Sequence, residues 1–159
     1  RRLLTGGLAA LIPVAEEEGV QLAVEPMHPR CAKDWTILTS LDDARELIDD
    51  LGHPQLKLVV DTYQLAEELD TPDRILACGD QIGIVHLADA RGNISREQNR
   101  CPLGMGKVDF DSIFAALAQI GYQGYLDLEL FGQDVEGMDY ASLITSAQSM
   151  VQEWNPVTV

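Results

Sequence analysis

Four short apolar runs recur along the chain, and a residue that can bind a metal ion stands at the end of each. The runs are rich in Val, Ile and Leu and lie at 21–24, 56–60, 82–87 and 125–128, with stretches of helical spacing between them. Segments that are apolar on both faces are typical of parallel strands covered by helices. The alternation therefore predicts an α/β fold made of right-handed βαβ units.

The stretches of helical spacing add five helices to the four predicted strands. Ser40 and Thr71 are expected to cap two of these helices, Pro72 follows Thr71 at a first helical position, and Gly52 is expected to end a helix. No low-complexity linker divides the chain, so residues 1–159 are predicted to belong to a single domain. The predicted helices cover 3–18, 41–51, 72–78, 111–120 and 140–154.

The strand ends distinguish between two architectures that four consecutive βα units could form. Glu25, Asp61, His86 and Glu129 follow the apolar part of the four runs. A carboxylate buried there is costly unless it is paired or bound to a metal. In an open flavodoxin-like sheet the strand ends lie in a row, whereas in a (β/α)8 TIM barrel they share one mouth. The pattern favours the barrel, of which this chain would supply about half.

The four strand-end residues form an oxygen-rich set of ligands without a thiolate. Such a set favours one divalent ion, with Mn²⁺ as the first candidate and Mg²⁺, Co²⁺ or Zn²⁺ as alternatives. The ion can stabilise an enediolate formed beside a carbonyl. Glu25 and Glu129 can serve as the catalytic acid/base pair that removes and returns a carbon-bound proton. No nucleotide cofactor is expected, because the turn at Gly104 and Gly106 lacks the dinucleotide-binding pattern.

Five short segments, in this order and spacing, resemble the xylose-isomerase-like barrel superfamily. This group contains sugar phosphate isomerases and epimerases, including tagatose 3-epimerase, hydroxypyruvate isomerase and inosose dehydratase. The resemblance implies the C-terminal half of a TIM barrel, with metal ligands Glu25, Asp61, His86 and Glu129 on strands five to eight. The segments are 23–27 (AVEPM), 59–63 (VVDTY), 85–89 (VHLAD), 103–109 (LGMGKVD) and 121–129 (GYQGYLDLE).

The resemblance also implies roles for residues outside the ligand set. Arg100 is expected to bind substrate oxygens. Asp89 is expected to contact and orient the metal ligands without binding the metal itself. Gln64 stands where the family commonly has a substrate-contacting His, and Cys31 where ketose 3-epimerases usually have a Glu. Gln64 can still form hydrogen bonds but cannot titrate. The Gln at position 64 and the Cys at position 31 both argue against a ketohexose epimerase. His28, in the loop after the first strand, is a further candidate for binding substrate.

The expected activity is that of a metal-dependent isomerase or epimerase of a small sugar or keto-polyol. Two alternatives remain open. One is a lyase of the inosose or dehydroshikimate dehydratase type on the same metal site, and the other is a non-catalytic barrel that binds sugar. The endonuclease IV branch of the superfamily is excluded, because it needs additional His ligands and a DNA-binding face, and this chain has three His and a charge of −15.

Charge and cysteine content limit the partners further. With 26 acidic against 11 basic residues, the chain is a poor partner for nucleic acid. No apolar stretch approaches a membrane span, and the odd set Cys31, Cys78 and Cys101 predicts a reduced, cytoplasmic setting without disulfides. A half barrel leaves two open edges, so we expect the chain to associate with the missing N-terminal half or to form a homo-oligomer.

Overall fold

The four predicted strands form one parallel sheet in a computed structural model that describes residues 1–154. The strands are β1 (Leu22–Val24), β2 (Leu56–Asp61), β3 (Ile82–Leu87) and β4 (Tyr125–Leu128). They are paired in chain order, β1-β2-β3-β4, and each pair is parallel. The predicted strand positions are confirmed to within a residue at either end.

Five α-helices accompany the strands, also as predicted. They are α1 (Arg2–Glu18), α2 (Leu41–Leu51), α3 (Thr71–Cys78), α4 (Phe110–Gln119) and α5 (Tyr140–Trp154). Short 3₁₀ turns at Pro29–Cys31 and Gly79–Gln81 lie in the connections. None of the helices within residues 1–154 combines the length and the apolar character that crossing a membrane requires.

Consecutive helices pack against one another along the chain, from α1 on α2 through to α4 on α5. The apolar core lies where they meet the sheet; Leu41 and Leu47 of α2, Leu58 of β2 and Ile75 of α3 are fully buried there. A continuous outer row of helices over sequentially ordered parallel strands is the arrangement found in a segment of a (β/α)8 barrel. The barrel architecture is therefore favoured over the open sheet.

Two of the predicted helix ends are confirmed, and one is corrected. The Ser40 hydroxyl accepts a hydrogen bond from the Asp43 amide at 3.1 Å and caps α2, while Gly52 ends this helix with a φ of 61°. Thr71, however, is not the cap of α3 but its first residue. The Thr71 hydroxyl donates to the Glu68 carbonyl at 3.1 Å, so it holds the preceding turn instead.

The cap of α2 can be tested with the same substitution at two serines. Ser40→Ala removes the side-chain acceptor of the Asp43 amide in the first turn of α2 and should cost about 1 kcal/mol of unfolding free energy. Ser146→Ala, at an exposed position inside α5, should be neutral or stabilising by up to ~0.5 kcal/mol, because Ala has the higher helix propensity. Urea denaturation measures both, and equal effects at the two sites would contradict the capping role.

Candidate metal centre

The side chains of Glu25, Asp61, His86 and Glu129 converge at the carboxyl ends of the four strands. One ligand atom from each of the four lies within 4.8 Å of the others. The sheet register produces this arrangement, because Asp61 and His86 are direct partners in β2 and β3. The Glu129 amide, one residue beyond β4, donates to the Leu87 carbonyl at 3.1 Å. This bond places Glu129 beside the carboxyl end of β3.

Three carboxylates that lie this close repel one another. Burial raises the pKa of Glu25 to about 7, and the neighbouring carboxylates of Asp61 and Glu129 contribute to that rise. Burial also raises the pKa of Asp61. Glu129 differs, because the His86 imidazole and the Arg100 guanidinium lower the pKa of Glu129. A divalent cation at the point where these groups meet would relieve the repulsion that the pKa shifts report.

His86 supplies the nitrogen donor of the cluster. Its Nδ1 is buried and has no hydrogen-bond partner among the described residues. The same atom lies 3.5 Å from Glu129 Oε2, beyond the usual length of a hydrogen bond, and Glu129 raises the pKa of His86. Carboxylate oxygens together with one available imidazole nitrogen form a donor set that suits a divalent ion such as Mn²⁺ or Zn²⁺. The residues present therefore fit a metal.

Arg100 reaches the same cluster from the loop between β3 and α4. Its Nη2 lies 2.6 Å from Asp61 Oδ2 and 2.7 Å from Glu129 Oε2, and the residue is only 1% exposed. The rings of Tyr63 and Phe131 lie 4.7 Å and 4.0 Å from its guanidinium carbon. Its Nε is buried without an acceptor within residues 1–154. Arg100 is thus part of the centre, and its binding of substrate oxygens stays a prediction.

The two other candidate substrate-binding residues, His28 and Gln64, are engaged by protein groups. His28 Nδ1 accepts from the Arg30 amide at 3.2 Å, and Nε2 lies 3.4 Å from Glu67 Oε2. Burial lowers the pKa of His28. Gln64 Oε1 accepts from the His28 amide at 2.9 Å, and its Nε2 donates to Gln98 Oε1. Substrate binding by either side chain stays a prediction.

Asp89 organises the glycine turn at Gly104 and Gly106 of the β3–α4 loop. The residue is fully buried, and its carboxylate accepts from the amides of Ala90 at 2.7 Å, Gly106 at 2.8 Å and Val108 at 3.0 Å. Asp89 and Cys101 also exchange backbone hydrogen bonds. Asp89 therefore fixes the path of the segment that carries Arg100.

One residue of the centre was missed by the sequence reasoning. Gln98 is 2% exposed, and its side chain contacts Gln64, Arg100 and Cys31. It lies in the polar stretch 95–99, where no periodicity or motif distinguishes one residue from the next. Cys31, Cys78 and Cys101 are all free and buried, and the reduced, cytoplasmic setting stays a prediction.

The fold and the converging strand ends are typical of one class of protein, the α/β barrels with a candidate metal site at the carboxyl ends of the strands. Within that class the chain belongs to the xylose isomerase-like TIM barrel family, whose model matches residues 1–152. The resemblance inferred from the five sequence segments is thereby confirmed.

Two curated relatives and one solved structure show how far the similarity extends. L-ribulose 3-epimerase of Methylomonas sp. (strain DH-1) is 31% identical over 126 residues, covering 79% of this chain and 40% of the relative. Inosose isomerase of Bacillus subtilis (strain 168) is 28% identical over 130 residues, covering 78% of this chain and 45% of the relative. The crystal structure of IOLI protein with a binding zinc atom superposes with a TM-score of 0.79 at 22% identity, over 94% of this chain and 54% of that one. The chain thus spans about half the length of these relatives or less.

Removal of one carboxylate charge should weaken metal binding sharply. Glu25→Gln keeps the shape of the side chain but removes its charge. Loss of a group that only orients a ligand typically costs roughly 10- to 100-fold in affinity, so loss of the ligand itself should cost at least that for Mn²⁺. Isothermal titration calorimetry with Mn²⁺ measures the change. The matched control Glu17→Gln, exposed on α1, should bind as the unaltered protein does, and equal affinities for all three would remove Glu25 from the ligand set.

Proposed function

We propose that this chain carries the metal centre of an isomerase or epimerase that acts on a small sugar or keto-polyol. The observation that supports this proposal is the convergence of two Glu side chains, Glu25 and Glu129, on one point together with Asp61 and His86. Two carboxylates that meet at one ion can exchange protons with both faces of a bound substrate carbon. Such an arrangement suits proton transfer beside a carbonyl.

The four strand-end residues would hold the ion, which when bound supplies positive charge to a carbonyl and its neighbouring hydroxyl. One of Glu25 and Glu129 then removes a proton from the carbon beside the carbonyl, and the other returns a proton to the same or the adjacent carbon. Return to the same carbon from the opposite face gives an epimer. Return to the adjacent carbonyl carbon gives the aldose–ketose isomer, provided that the proton of the neighbouring hydroxyl passes to the former carbonyl oxygen. Asp61 and His86 would serve only as ligands.

Arg100 would orient the substrate in this scheme. Its guanidinium contacts the rings of Tyr63 and Phe131, and its Nη2 donates to both Asp61 and Glu129. The buried Nε, which has no acceptor within residues 1–154, is a donor that a substrate oxygen can use. A planar guanidinium with several fixed donors is well suited to vicinal oxygens.

The relatives support a sugar or polyol substrate, since the two curated proteins are named for an L-ribulose and an inosose reaction. Mn²⁺ remains our first candidate for the metal, and Zn²⁺ is retained because a zinc atom is bound in the IOLI protein structure. Neither relative fixes the substrate of this chain.

The sheet edges support the further proposal that the chain is the C-terminal half of one barrel domain. Tyr125 on β4 is 81% exposed, and an apolar groove of about 490 Å³ runs beside this strand between Leu126, Leu128, Ile144 and Val151. A soluble domain normally covers such a surface. We propose that the remaining strands of the barrel cover it, with self-association as the alternative.

The proton-transfer step can be tested by exchange of a substrate proton with solvent deuterium. Glu129→Gln should slow the exchange by more than ~100-fold, the lower range for losing a general acid or base. The measurement uses a panel of ketoses and inososes, followed by NMR at saturating Mn²⁺, because the substitution also removes a metal ligand. Glu153→Gln, exposed on α5, is the control and should leave the exchange rate unchanged.

The same experiment separates the competing functions. Exchange with retention of all hydroxyl groups supports the isomerase or epimerase, whereas loss of water from the substrate identifies a lyase. Binding of metal and sugar without exchange by the unaltered protein would point to a non-catalytic barrel. Near-normal exchange by Glu129→Gln would remove Glu129 from the mechanism.

A further inference from the structure

Gln98 lies buried in the loop between β3 and α4, beside the candidate metal centre. It is 2% exposed, and its φ of 53° is the only positive φ recorded for a non-glycine residue within residues 1–154. A residue with a side chain is strained in this conformation, and the strain persists only where the surroundings hold it. The backbone at this position is therefore determined by tertiary contacts.

The amide of Gln98 has a single orientation that satisfies its neighbours. Its Nε2 donates to the Ser95 carbonyl at 2.8 Å and lies 3.0 Å from Cys31 Sγ. Its Oε1 accepts from Gln64 Nε2 and also from Arg100 Nη1, the latter at 3.4 Å. A flipped amide would point its NH₂ group at two donors and its oxygen at a carbonyl. The oxygen of Gln98 is thus directed at Arg100.

The contacts of Gln98 join three loops at the carboxyl end of the sheet. Cys31 belongs to the loop after β1 and Gln64 to the loop after β2, while Gln98 and Arg100 belong to the loop after β3. Gln64 is itself held, because its Oε1 accepts from the His28 amide at 2.9 Å. Contacts with the loops after β1 and β2 therefore hold the Gln98 oxygen that faces Arg100.

The guanidinium of Arg100 needs such an anchor. The rings of Tyr63 and Phe131 contact the group through its central carbon, but such contacts do not prevent rotation of the guanidinium within its own plane. Nη2 contacts Asp61 and Glu129, and Nη1 contacts Gln98. The short contacts of Nη2 and the longer, 3.4 Å contact of Nη1 together set the rotation, and therefore the direction of the Nε hydrogen, which has no acceptor within residues 1–154.

We propose that Gln98 is a positioning residue that sets the in-plane orientation of Arg100 and, through it, the alignment of substrate oxygens over Glu25 and Glu129. The proposal rests on the proposed function, because it places Arg100 on the substrate side of the centre. Gln98 does not itself touch substrate or metal in this scheme. Its loss should therefore affect turnover and leave metal affinity largely unchanged.

The kinetic test compares Gln98→Met, which keeps the length of the side chain but removes the amide, with the exposed control Gln119→Met on α4. Gln98→Met should lower kcat/KM for substrate proton exchange by roughly 10- to 100-fold, the effect typical of losing a group that orients an active-site residue. Mn²⁺ affinity should change much less than kcat/KM, because the four ligands and the contacts of Arg100 Nη2 with Asp61 and Glu129 are all kept. Unchanged exchange in Gln98→Met would overturn the proposal.

A double-mutant cycle distinguishes positioning from general support of the fold. If Gln98 acts through Arg100, Gln98→Met should cause no further loss in an Arg100→Lys background, because residues that act as one unit are not additive. An equal loss in both backgrounds would mean that Gln98 only stabilises the loop. If Gln98→Met does not fold, Gln98→Gly replaces it, since glycine adopts a positive φ without strain. Gln98→Gly should show the same loss of exchange, and no further loss in the Arg100→Lys background.

A spectroscopic readout keeps the proposal testable if no exchange is found and the proposed function fails. In protein labelled with ¹⁵N-arginine, the Arg100 Nε–H resonance should shift in Gln98→Met, because a turned guanidinium places Nε in different surroundings, and it should keep its position in Gln119→Met. An unshifted Nε–H resonance in Gln98→Met would overturn the positioning role whatever the activity.

Discussion

The mutual repulsion of three carboxylates at one end of a parallel sheet is the constraint on which the rest of this structure depends. Glu25, Asp61 and Glu129 meet because strand register places them there, and burial raises the pKa of Glu25 to about 7. Such a cluster is stable as a set of anions only if positive charge is brought to it. The chain provides part of that charge through Arg100, and the donor set suits a divalent ion for the remainder.

The loops around the centre are organised to bring Arg100 to those carboxylates. Asp89 holds the glycine turn that follows Arg100 through the backbone amides of Gly106 and Val108. The rings of Tyr63 and Phe131 contact the Arg100 guanidinium. The parallel strands thus position the four strand-end side chains, whereas Arg100 depends on contacts among three different loops. That division explains how one barrel scaffold can keep its metal centre while its loops change the substrate.

The sequence was sufficient for the parts of the fold that depend on local patterns. Apolar runs and helical spacing placed the strands and helices within a residue or two, and the strand-end rule identified the four side chains that the structure brings together. Thr71 was misplaced by one residue because a cap and a first helical residue share the same sequence preferences near a proline. Gln98 was missed because its partners Gln64 and Cys31 lie 34 and 67 positions away, and such contacts leave no periodic trace. The same reason hides the bridge from Arg100 to Asp61, which spans 39 positions.

Anomalous diffraction at the manganese edge, from crystals of the protein grown with Mn²⁺, tests the central claim most directly. The account predicts one strong peak among Glu25, Asp61, His86 and Glu129, with oxygen ligands at roughly 2.0–2.6 Å, the range of hard divalent cations. A peak at another site, or a complete set of data without a peak while Arg100 alone bridges Asp61 and Glu129, would contradict it.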